Sequence, residues 1–105
     1  MGPPGDLQGF IEDRLRGYLS RDRTGIRRAL LSLFIASRSM TIPFVYQELR
    51  GGFPASYHSV ASMVGTLASR IGILRVTRSG AATSSVYELR EQYLDLVTRV
   101  MTSVR

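Results

Sequence analysis

The chain contains no cysteine and no lysine. Without cysteine there are no disulfide staples, no thiolate nucleophile and no cysteine-ligated metal, and the redox compartment is left undefined. No apolar run approaches the roughly 18 residues of a membrane-spanning helix, and the first residues lack the charged-then-apolar order of a secretory signal. A cytoplasmic protein with no membrane association is therefore the expectation. His58 is the only histidine and no carboxylates cluster around it in the sequence, so no metal site is expected. Serine, histidine and aspartate form no nucleophile motif, and the adjacent Glu12 and Asp13 do not share a helix face. Gly51-Gly52 lacks the strand, lysine and helix of a phosphate-binding loop. No catalytic residue, cofactor or metal is expected, and no enzyme.

What is present is arginine. All 14 basic residues are Arg, and the formal net charge is +6. The planar guanidinium fork suits phosphates and guanine edges and keeps its charge when partly buried. Such a balance leans towards polyanionic partners, although a genome rich in G and C would remove lysine just as well. At 105 residues the chain is long enough for one domain with a modest core.

Periodicity divides the chain into short elements. Residues 1–5 (MGPPG) read as a frayed leader, and residues 6–105 as a single domain with a core at 24–90 and flanking helices at 6–20 and 91–104. Leu7, Phe10, Ile11, Leu15, Tyr18 and Leu19 carry helical spacing over 6–20, although Gly9 and Gly17 each cost about 1 kcal/mol relative to Ala. Asp22 or Thr24 is placed to cap a helix over 24–38, which is apolar on two opposite faces and so is expected to lie centrally. Ser39–Ile42 reads as a short extended link. Thr41 then caps, and Pro43 opens, a helix to Arg50 with Phe44, Val45 and Leu49 turned inward.

The richest stretch follows. Over residues 56–72, Val60, Val64, Leu67 and Ile71 mark one buried helix face; beyond Gly72 the period changes to two. Ile73, Leu74 and Val76 alternate around Arg75, and Val86, Tyr87 and Leu89 form a return strand across the loop SGAATSS. The expected class is mainly α with a small β-hairpin.

From Thr24 to Arg90 this order resembles a winged helix-turn-helix domain: MTIPFVYQELR supplies a Thr-capped helix, and SVASMVGTLASRIGILRVTR a helix ending in Leu-x-x-x-x-Gly before an apolar first wing strand. Over nearly its whole length, with RDRTGIRRALLSLF and VASMVGTLASRIGILRV as the main carriers, the chain resembles a small archaeal family of uncharacterised winged-helix-like proteins from methanogens. That resemblance implies a fold and no activity.

A winged helix places its third helix in the major groove of double-stranded DNA. The outward residues would then be His58, Ser62, Gly65, Thr66 and Ser69, flanked by Ser59 and Arg70, with Ser56 at the helix start. Hydroxyls of this kind bond phosphates, whereas only Arg70 reaches for a bidentate guanine contact. Arg75 and Arg78 on the hairpin, and the run Arg21, Arg23, Arg27 and Arg28 around the start of the second helix, would add phosphate contacts. Each set has a plainer alternative as a solvated polar face. Leu94, Val97, Met101 and Val104 on the last helix form an apolar stripe that either pairs two copies or folds back onto the helix at 24–38. Two functions follow: a DNA-binding protein, such as a small transcription regulator, working mainly through backbone phosphates, or a protein-interaction module with no DNA readout.

Overall fold

The computed structural model describes residues 4–78 and 85–103, with the backbone alone for residues 4–6. In chain order it contains α1 (Pro4–Ser20), α2 (Ile26–Ser37), β1 (Ser39–Thr41), α3 (Ile42–Arg50), α4 (Tyr57–Thr66), β2 (Leu74–Thr77), β3 (Val86–Leu89) and α5 (Leu94–Ser103). A π-helical turn, Leu67–Ile71, extends α4, and a 3-10 turn, Glu91–Tyr93, leads into α5. The fold is mainly helical with one small antiparallel sheet.

Helix α1 starts earlier than its sequence suggests. Pro4 and Gly5, expected in the leader, belong to its first turn. Proline is tolerated there because it lacks the N–H that a first turn leaves unbonded. Residues 1–3 lie outside the described residues. Helix α2 begins after Gly25, whose φ of 89° suits a residue without a Cβ. The Asp22 carboxylate accepts from the amides of Gly25 (3.1 Å), Arg27 (3.2 Å) and Arg28 (3.0 Å), and the Thr24 hydroxyl accepts weakly from Ile26 (3.3 Å). Both expected caps therefore contribute, with Asp22 doing most.

The short link before α3 is a third strand. Strand β3 is central, with β1 and β2 antiparallel on either side; Met40 pairs with Tyr87 from one edge and Val76 from the other. A three-residue strand has too few positions to show a period, so only its extended character was legible. The Thr41 side chain then caps α3 by accepting from the Phe44 amide, with Pro43 in the first turn.

Leu30, Leu31 and Phe34 of α2 are fully buried, and α2 touches α1, α3, α5, β1 and β3. It is the central helix that its two apolar faces predict. Val60, Val64, Leu67 and Ile71 bury the inner face of α4 as expected, as do Val45 and Leu49 for α3. Phe44, assigned inward, is instead 47% exposed, and Val76 on β2 also faces outward. Gly72, at φ 88°, ends the helical run, and its amide donates to the Leu67 carbonyl five residues back. The chain then turns straight into β2.

Candidate functional site

The inward set of α4 leaves Ser56, His58, Ser59, Ser62, Ser69 and Arg70 exposed and Thr66 half-buried. Three of the hydroxyls are already engaged locally. Ser56 caps the helix by accepting from the Ser59 amide (3.0 Å), Thr66 donates to the Ser62 carbonyl (3.0 Å), and Ser69 donates to the Gly65 carbonyl (2.8 Å). No acidic residue lies on α4.

The amino-terminal half of this face does not stand alone. The turn between α1 and α2 lies against it, so that Arg21, Asp22, Arg23 and Arg27 share one groove of about 510 Å³ with His58, Ser59 and Ser62. Two groups far apart in sequence are thus brought together. The α2 amino terminus itself is not open to a phosphate, because the Asp22 carboxylate occupies its amides. Any anion here meets guanidinium groups rather than helix amides.

Neighbouring arginines have different fates. Arg27 lies 4.4 Å over the Tyr18 ring and donates to the Tyr18 carbonyl (2.8 Å). Arg28, grouped with Arg23 and Arg27 as a phosphate contact, instead points to α5 and donates to the Met101 carbonyl (2.7 Å). Adjacent helical positions diverge by about 100°, so one residue faces the groove and the next faces the body of the protein.

On the hairpin, Arg75 is paired across the strands with Glu88 at 2.6 Å, which offsets its charge. Arg78 is exposed at the end of β2. Residues 79–84, most of the loop SGAATSS, lie outside the described residues.

A second and larger groove, about 800 Å³, runs between α1 and α4 and shares Arg21, Arg27, Ser62 and Met63 with the first. Asp13, Arg14, Gly17, Tyr18 and Arg21 form its α1 wall; Thr66, Arg70 and Ile71 line the α4 side. Arg14 packs 4.2 Å over Phe10 and donates to the Arg70 carbonyl, which ties α1 to the last turn of α4. Sequence reasoning missed Arg14 as a site residue and placed Arg21 only in the basic run at the start of α2. Their signal was the spacing 14, 17–18, 21 along one face of α1.

Glu12 and Arg16 of α1 serve packing within the chain. Arg16 (2.8 Å) and Arg99 (3.2 Å) both contact Glu12, and their hydrogen bonds hold its carboxyl below the ordinary value. The expected pairing stripe on α5 is used within the chain. Val97 is fully buried, and Leu94 and Met101 are half-buried against the same core, where α5 packs on α1 and α2. Val104 lies outside the described residues.

The family described as "Protein of unknown function (DUF2551)" matches residues 15–97. An uncharacterised protein of the archaeon Archaeoglobus fulgidus is 36% identical over 96 residues, covering 90% of this chain and 96% of the relative. No solved structure matches.

Proposed function

This chain belongs to the DUF2551 family, and we propose that it is a winged-helix protein that binds double-stranded DNA mainly through backbone phosphates. The element order supports the winged-helix reading: α2, β1, α3, α4 and a β2–β3 hairpin, with strand order β1–β3–β2. Helix α4 is then the recognition helix and the hairpin the wing.

One observation carries the DNA reading. Arg21, Arg23 and Arg27 converge on the same groove as His58, Ser59 and Ser62, along a helix face without carboxylates. The short side chains let a sugar–phosphate backbone come close, and the guanidinium groups attract it. Direct base reading falls to Arg70 alone, so sequence preference is modest.

The test is binding to a random-sequence duplex across a salt series. Affinity is expected to fall steeply and log-linearly with salt, because each neutralised phosphate releases counterions. Arg23→Ala should reduce the slope by roughly 1, and Arg75→Ala/Arg78→Ala should weaken binding on every sequence. Salt-independent binding, or none at low salt, removes this reading.

A second reading, docking of a protein partner, draws on Leu7 and Phe10, which are 59% and 54% exposed on one side of α1. It requires a complex that survives moderate salt and does not depend on Arg75 or Arg78.

A further inference from the structure

The larger groove gathers arginines from α1, α2 and the end of α4. Arg14, Arg21, Arg27 and Arg70 all line it. Among the described residues, none of the four forms an ion pair with a carboxylate. Three are instead fixed by main-chain carbonyls: Arg14 by Arg70, Arg21 by Gly17 (3.0 Å) and Arg27 by Tyr18 (2.8 Å). A carbonyl anchor orients a guanidinium without cancelling its charge. The positive groups are therefore held in place with no carboxylate paired to them among the described residues. Asp22 does not serve, since its carboxylate is bonded to the α2 amides, and Asp13 is the single carboxylate lining the groove.

Size and lining narrow the class of anion. About 800 Å³ falls in the range of small-molecule sites. Four guanidinium groups carry more positive charge than one phosphate, at about −2, neutralises, which favours a chain of phosphates. Met63 and Ile71 add an apolar surface beside them, and guanidinium planes stack on flat rings. We infer that the α1–α4 groove is a binding site for a nucleoside polyphosphate, with its phosphates on the four arginines and its base against Met63 and Ile71. Arg27, Ser62, Thr66 and Arg70 also belong to the proposed DNA face, so an occupied groove competes with the duplex. That competition rests on the DNA-binding reading; nucleotide binding itself does not.

The test is calorimetric titration of the full chain with ATP, tripolyphosphate and adenosine at 0.15 M salt. ATP is expected to bind saturably at one site, tripolyphosphate more weakly, and adenosine weakest. Arg14→Gln and Arg21→Gln should each weaken ATP at least fivefold, whereas Arg78→Gln leaves it unchanged. Asp13→Asn should tighten it, a gain that misfolding cannot mimic. No ATP binding at millimolar concentration, unchanged affinity in the folded Arg14→Gln and Arg21→Gln proteins, or adenosine or tripolyphosphate binding as tightly as ATP would overturn the inference. Loss of duplex binding in Arg75→Ala/Arg78→Ala with ATP affinity intact would separate this site from the DNA reading.

Discussion

The Arg28 guanidinium donates to the carbonyl oxygen of Met101 at 2.7 Å, joining the start of the central helix to the end of α5. The bond reaches a carbonyl in the last turn of α5, and it places a cation where the helix dipole favours one. Arg28→Ala is expected to lower stability by about 1.5–3 kcal/mol, the usual range for a bond to a charged group. Duplex affinity should stay within twofold of wild type when both proteins are folded. Urea denaturation followed by circular dichroism measures the first, and fluorescence anisotropy with labelled duplex the second.

The Arg75–Glu88 pair on the hairpin has the opposite character. It is a surface ion pair, worth at most about 1 kcal/mol to the fold. It nevertheless holds the hairpin arginine on a carboxylate rather than on a phosphate. Glu88→Gln should therefore tighten duplex binding at low salt by several-fold, with an unchanged melting temperature, and the gain should shrink as salt rises. An unchanged affinity would mean that Arg75 takes no part in binding.

Arg38 ends α2 at φ 67°, where glycine is favoured over residues with a Cβ. The conformation lets its amide bond back to Phe34 while its carbonyl accepts from Leu89 at 2.8 Å, so it joins α2 to the sheet. Arg38→Gly keeps both main-chain bonds and is expected to stabilise the fold by about 1 kcal/mol. Chemical denaturation would read this as a higher midpoint with the same slope.

Tyr18 lies in the core with a hydroxyl that has no hydrogen-bond partner among the described residues. Burial pushes its ionisation up to about 12; the nearby Arg27 works against the shift and Asp22 adds to it. The unfolded chain releases this proton near pH 10 and the folded chain only near 12. The Tyr18 contribution is thus fully present below pH 10 and is lost as the pH rises through that window. Tyr18→Phe should flatten the alkaline limb of the stability profile. It should be at least as stable as wild type at neutral pH, because it removes an unbonded polar atom. A marked loss at pH 7 would show that the hydroxyl has a bonding role.

Much of this was legible from the residues. The inner face of α4, the two-sided burial of α2 and the Thr41 cap follow from periods and capping chemistry that act over a few residues. Other features depend on what packs opposite, which spacing does not report. Arg27 and Arg28 look equivalent in the sequence and diverge only because α1 and α5 lie on different sides of α2. Arg75 looks free until its strand register sets Glu88 beside it. Val97 reads equally as seam or core until α5 folds back. Phe44 failed for a related reason: α3 has only nine residues and needs just Val45 and Leu49 inside.

The sheet also has a history in time. The Ser39–Thr41 strand leaves the ribosome well before Val86–Leu89, the only strand it pairs with among the described residues. At about 5–20 residues per second, Met40 and its neighbouring amides wait several seconds for a partner. The helical half of the molecule can form during that interval, but the sheet closes only after Val86–Leu89 has emerged. A chain stalled before residue 86 would therefore carry an unpaired strand, and that is the state in which this protein is most open to pairing with the wrong neighbour.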